Sequence, residues 1–306
     1  MLLGEFAVNP VVAASVEGIS DLSRSFGFNK GAVLSEFPTG WLSFVKRSIP
    51  EELKESLEFN ILVEKLIYLE NNALISTKRS CVPDEWYQHA IKDHQEGAFY
   101  KVVDAENHPD NTDAIVISQL DENVLDKLGG EKCKRKAEIL AKKAELVLRG
   151  SRHIKIVDPF FSPRDSYKKT LSKMIEVSGF ADRDDIVEWT INTSSIRGGR
   201  EVCIESEKKE FKKKFRELIP PGKQIEVLWW GNGNAKEIHP RYLITERAGI
   251  KYDWGFEEPS DHDDREGKMD IDMMRKPSLD ETWEQYVKES SRLDVKGRLL
   301  LKGTEA

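Results

Sequence analysis

A chain of 306 residues and 35.0 kDa, 39% hydrophobic and 33% charged, is long enough for two domains and buries a core without covalent help. Its three cysteines, Cys81, Cys133 and Cys203, are odd in number and scattered, which excludes a disulfide framework and a CxxC zinc knuckle and points to a reducing compartment. The 47 basic and 54 acidic residues, net −7, argue against indiscriminate polyanion binding.

The balance is uneven along the chain. Residues 1–150 hold 18 basic and 24 acidic side chains, 151–256 hold 20 and 16, and 257–306 hold 9 and 14, so an anion-binding surface is expected in the central block. No run approaches the roughly 18 apolar residues of a membrane span, and MLLGEFAVNP has no basic leader region. A cytoplasmic protein without integral membrane association is the expectation.

In chain order, residues 1–80 are expected to be mostly helical. A helix over 16–28 precedes a break at Pro38–Gly40, and Pro50 opens a long helix with Leu53, Leu57, Ile61, Val63, Leu66 and Ile67 on its apolar face. A short helix over 84–94 and two strands, 98–103 and 114–118, follow. Gly129 and Gly130 then set off a basic helix over 131–148, carrying Lys132, Lys134, Arg135, Lys136, Lys142 and Lys143. The expected domains are 1–130, 131–290 and a tail, 291–306.

The central block alternates. Strands are expected over 153–157, 186–192, 225–230, 241–245 and 250–254, with helices over 164–178 and 205–218, then an acidic loop over 257–272 and a helix over 279–289. The fold class is α+β, with a mainly helical amino-terminal region followed by a mixed-sheet α/β domain.

The most informative stretch is EIHPRYLITERAGIKYDWG, residues 237–255. On a strand, His239 and Arg241 share a face. A histidine can attack or protonate, a cation can neutralise phosphoryl oxygens, and the carboxylate of Glu246 can fix an imidazole tautomer. The pattern resembles a degenerate phospholipase D motif, H-x-K-x4-D followed by Gly-Ser. His239 matches the histidine, Arg241 replaces the lysine, Glu246 falls where the aspartate would be, and Gly255–Phe256 stands one residue late of where Gly-Ser belongs.

Together with IVDPFF at 156–161, the layout is similar to the phospholipase D-like domain at the carboxyl end of MIT-domain proteins, regarded as non-catalytic. It is similar too to uncharacterised bacterial proteins for which an antiviral defence role is considered. The resemblance covers roughly 135–290. It implies a metal-independent phosphodiesterase or nuclease if active, with His239 as nucleophile, Arg241 as phosphate clamp and Glu246 as orienting carboxylate. No cofactor or metal is implied. One motif per chain implies a homodimer, because the family mechanism needs two.

Other candidates weigh less. His153, Lys155 and Asp158 form a second HxK with a carboxylate but fit a strand entrance better. The helix ESEKKEFKKKFRE offers Lys208, Lys212, Lys213 and Arg216 as either a solvated face or a phosphate-tracking surface, with Trp230 beside Trp229 as a stacking face or as core. The acids Asp261, Asp263 and Asp264 suit a solvated loop better than a metal, and His89 and His94 do not share a helix face. The resulting expectation is binding or processing of a phosphodiester, nucleic acid foremost. The alternative is a non-catalytic docking module for a protein partner or acidic lipid.

Overall fold

Gly4–Val8 (β1) is buried at every position, the pattern of a strand covered on both faces in a parallel sheet. The computed structural model describes all residues except 78, 83–84, 121, 186, 232–240, 260–266, 288–293 and 305–306. The chain divides into two units, Met1–Gly129 and Gly130–Ala306.

In the first unit β1 is followed by α1 (Val16–Ser25), β2 (Ala32–Ser35), α2 (Trp41–Ser48), α3 (Glu51–Lys54), α4 (Glu58–Asn72), β3 (Leu74–Ile75), α5 (Trp86–Gln95), β4 (Lys101–Asp104), β5 (Ala114–Val116) and α6 (Glu122–Leu125). The strands form one sheet in the order β3-β2-β1-β4-β5, and every pair is parallel. Ser15 caps α1 by accepting from the Gly18 amide at 3.1 Å. Phe6, Phe26, Trp41, Leu62 and Leu69 fill one side of this sheet, and Ala7, Phe37, Trp86 and Phe99 fill the other. Helices supply most of the residues in regular elements of the amino-terminal region, as expected, but they flank a parallel sheet whose strands were not expected before residue 98. β1, β2 and β3 show no polar alternation, which hides a doubly covered strand among helical segments.

The second unit runs β6 (Gly130–Lys134), α7 (Ala137–Arg149), β7 (His153–Val157), α8 (Asp165–Val177), β8 (Glu188–Ser194), a small hairpin of β9 (Ile196–Arg197) and β10 (Arg200–Glu201), α9 (Ile204–Phe215), β11 (Gln224–Gly231), β12 (Tyr242–Thr245), β13 (Gly249–Tyr252), β14 (Lys268–Met273), α10 (Lys276–Val287) and β15 (Asp294–Lys302). Its eight-stranded sheet has the order β15-β11-β8-β7-β12-β13-β14-β6. Strands β7, β8 and β11 are parallel through the crossovers α8 and α9, and the other pairings are antiparallel. The whole chain is thus α+β with parallel and mixed sheets.

Three expected elements are corrected here. Residues 130–134 are a strand and the helix begins at Ala137, because GEKCK alternates and buries Cys133. β14 lies within the expected acidic loop, with Met269 and Ile271 buried. β15, expected in a tail, is an edge strand paired with β11 along its length.

Adjacent Trp229 and Trp230 point to opposite sides of the sheet. Trp229 packs on Phe211 of α9, with ring centroids 5.7 Å apart, and Trp230 packs on Tyr286 of α10 at 6.3 Å. Among the described residues no helix is long and apolar enough to cross a membrane.

Candidate functional site

The parallel strands β7, β8 and β11 end at one edge of the second unit's sheet, the edge at which open α/β sheets expose strand carboxyl ends and the loops that follow them. Asp158 stands there, directly after β7, and is fully buried. Its Oδ1 accepts from the Phe160 amide at 2.8 Å and its Oδ2 from the Phe256 amide at 3.3 Å. Burial pushes the carboxyl above its ordinary value, against the pull of those amides and of Arg241. A buried carboxyl with a named cation at a strand's carboxyl end marks a functional candidate.

Arg241 reaches Asp158 through strand register. β12 runs antiparallel to β7 with Tyr242 opposite Val157, so the residue before Tyr242 comes to lie opposite the residue after Val157. Gly255 leaves room for both groups beside it. It has φ +78°, and a Cβ there would lie 2.5 Å from Asp158 Oδ2 and 2.6 Å from Arg241 Cδ. A side chain at this position would therefore be strained in backbone and displace both groups. Arg241 donates from Nη1 to the Asp253 carbonyl at 3.0 Å and makes no ion pair among the described residues. Its guanidinium lies over the Phe160 ring, 5.3 Å from the centroid.

Around this pair, Arg164 Nη1 is 2.9 Å from Glu257 Oε1, and Ser166 Oγ donates to the same oxygen at 2.9 Å. Tyr167 packs beneath, its hydroxyl pKa driven up by burial and then by Asp158 and Glu257. Arg135 donates to the Glu257 carbonyl at 3.2 Å and lies over the Trp254 ring at 5.5 Å. The edge thus gathers three arginines, one buried carboxyl and one ion-paired glutamate. This set can hold an anionic group in front of Arg241.

The sequence-predicted residues are distributed differently. His239 lies outside the described residues, as do Asp261, Asp263 and Asp264. Glu246 is a correction: it caps the other end of β7, with its two oxygens accepting from the Arg152 amide at 2.8 Å and the His153 amide at 2.9 Å. The whole of β12 separates it from Arg241, on the order of 16 Å at strand rise. It therefore cannot orient a group beside Arg241. His153, at that same far end, pairs with Glu188 at 3.0 Å.

On α9, Lys208 is ion-paired with Glu205 at 2.7 Å. Lys212, Lys213 and Arg216 are exposed, as is Lys209. Trp230 is a second correction. It is buried, and its indole N–H donates to Asn192 Oδ1 at 2.9 Å, so its ring faces α10 and not a ligand. Trp229 is likewise core, donating to Glu207 at 2.8 Å.

Asp158 enters the sequence reading only as the carboxylate of the second HxK, set aside as a strand entrance, and Arg164, Phe160 and Trp254 carry no motif of their own. Only the Asp-Pro stop after β7 hinted at an edge, and nothing local announces that β12 pairs with β7.

No family model and no curated protein matches the chain. Among solved structures it aligns with TrmBL2, described as an archaeal chromatin protein showing a novel mode of DNA binding, at 12% identity and a TM-score of 0.25, covering 68% of this chain and 71% of that one.

Proposed function

We propose that residues 130–306 bind nucleic acid, with Arg241 and Arg164 taking phosphate at the sheet edge and α9 supplying a basic track beside it. The observation that carries this reading is the outer face of α9. Lys209, Lys212, Lys213 and Arg216 recur at helical spacing, all exposed, and no carboxylate lies within ion-pair distance of them among the described residues. They lie opposite the buried Phe211 and Phe215. Glu205 bears electrostatically on Lys209 and Lys212, but cations outnumber acids along this face, and such an excess is an electrostatic footprint for a polyanion. It adjoins the edge site through α8, because Lys214 is 3.5 Å from Asp165, the neighbour of Arg164.

The phospholipase D-like resemblance adds a catalytic version of the reading, metal-independent phosphodiester cleavage with His239 as nucleophile in a homodimer. The buried Asp158 beside Arg241 supports it, as a carboxyl placed where Glu246 is not.

The test is fluorescence anisotropy of labelled oligonucleotides against salt. The reversal K212E/K213E/R216E is expected to weaken binding at least tenfold at low salt and to lower the log–log salt slope by about 2–3. Wild-type protein that binds no oligonucleotide overturns the reading in favour of a docking module. Cleavage in EDTA by wild type and not by His239→Ala separates processing from binding alone.

A further inference from the structure

Of the described Phe, Tyr and Trp side chains, only Phe160 and Trp254 are exposed, at 38% and 61%. Isolated exposed apolar residues are ordinary. These two are not isolated, since both stand at the edge site and each is backed by an arginine: Arg241 at 5.3 Å from the Phe160 centroid and Arg135 at 5.5 Å from that of Trp254. The Arg241 Nη1 bond to the Asp253 carbonyl ties the two pairs together, because Asp253 precedes Trp254. Neither arginine has a carboxylate in ion-pair range among the described residues.

A cation over one face of an aromatic ring leaves the other face for a second partner, and stacks of ring, guanidinium and base are mutually favourable. The aromatic rings give sequence-tolerant stacking, and the guanidinium groups, that of Arg241 shared with the buried Asp158, give phosphate contact. Proteins that hold single-stranded nucleic acid combine these two features. In a duplex the base faces are occupied by their neighbours and could not reach the rings without unstacking.

Resting on the nucleic-acid reading above, we infer that the ladder Phe160–Arg241–Trp254–Arg135 is a stacking site for single-stranded nucleic acid. Two unpaired bases lie against Phe160 and Trp254, and the flanking phosphates face Arg241 and Arg135.

The experiment measures binding of the full chain to labelled oligo(dT), to a duplex of equal length, and to an oligomer of the same charge carrying abasic positions. Trp254→Ala and Phe160→Ala are expected to weaken oligo(dT) binding by roughly five- to 150-fold each. They should leave duplex and abasic binding near wild type, while Trp254→Phe should retain most of the affinity. Both positions are exposed, and an unchanged melting temperature verifies folding.

Alanine variants that bind oligo(dT) like wild type overturn the stacking site, even when K212E/K213E/R216E abolishes binding. That combination leaves the broader reading standing. Equal losses on duplex and single strand also overturn it. Absence of any binding by wild type overturns both readings together.

Discussion

Asp158 shows how one buried group decides the behaviour of an edge. Its carboxylate accepts two backbone amides that would otherwise be left without partners, so the loops after β7 and β13 are pinned by a single side chain. Burial nonetheless holds its pKa above the usual 3.8, with Arg241 only partly offsetting the cost. The native state therefore keeps this proton when the unfolded chain has lost it, and the contribution to stability is full below the ordinary aspartate value. It is lost as pH rises through the raised one. Asp158→Asn removes this titration but offers one acceptor for two amides. The variant is expected to be less stable by about 1–3 kcal/mol at acidic pH. Its stability should also fall less steeply than that of wild type as pH rises above 3.8. Urea unfolding of both proteins across that range measures the difference, and parallel pH profiles would assign the shift to another group.

Among the elements, those whose packing is local were legible in the sequence. Tyr167, Leu171, Met174 and Ile175 recur at helical spacing and are the buried stripe of α8. β7, β11, β12 and β13 were marked by apolar runs ending in turn residues. β1 and β2 were not, because a strand covered on both sides loses the alternation that identifies it. The site was legible at Arg241 but not in its partners. A linear motif put Glu246 in the site, whereas the antiparallel register of β12 on β7 sends it to the far end and brings Asp158 across from Arg241. Non-local pairing of this kind leaves no short-range signal. β15 is the clearest instance: KGRLLLK is too charged to stand out, yet Leu299 and Leu301 are buried and the strand closes the edge of β11. Leu301→Ala should cost about 2–5 kcal/mol. Deletion of residues 294–306 should expose the β11 edge and yield an aggregating protein. A truncated protein that stays monomeric and melts like wild type would remove β15 from the sheet.

Across the whole molecule the charges sort by unit. Residues 1–129 hold 11 basic and 21 acidic side chains, and residues 130–306 hold 36 and 33. The first unit is therefore strongly acidic, and the second carries a slight excess of cations. Each unit carries its own sheet with buried residues on both faces, the basis for folding as separate domains. Expressed alone, residues 130–306 are expected to unfold in one cooperative transition and to bind oligonucleotide, whereas residues 1–129 are expected to fold without binding. Freed of the acidic unit, the fragment should bind more tightly than the full chain at about 0.01 M salt, where charges act over roughly 30 Å. The two should converge near 0.15 M, where the range falls to about 8 Å. A fragment that folds and binds more weakly than the full chain at both salt concentrations would place essential contacts in residues 1–129. The polar cluster at the ends of β1 and β4, where Asp104 accepts from Asn9 at 2.7 Å and meets His108 at 2.8 Å, would then be the first place to look for them.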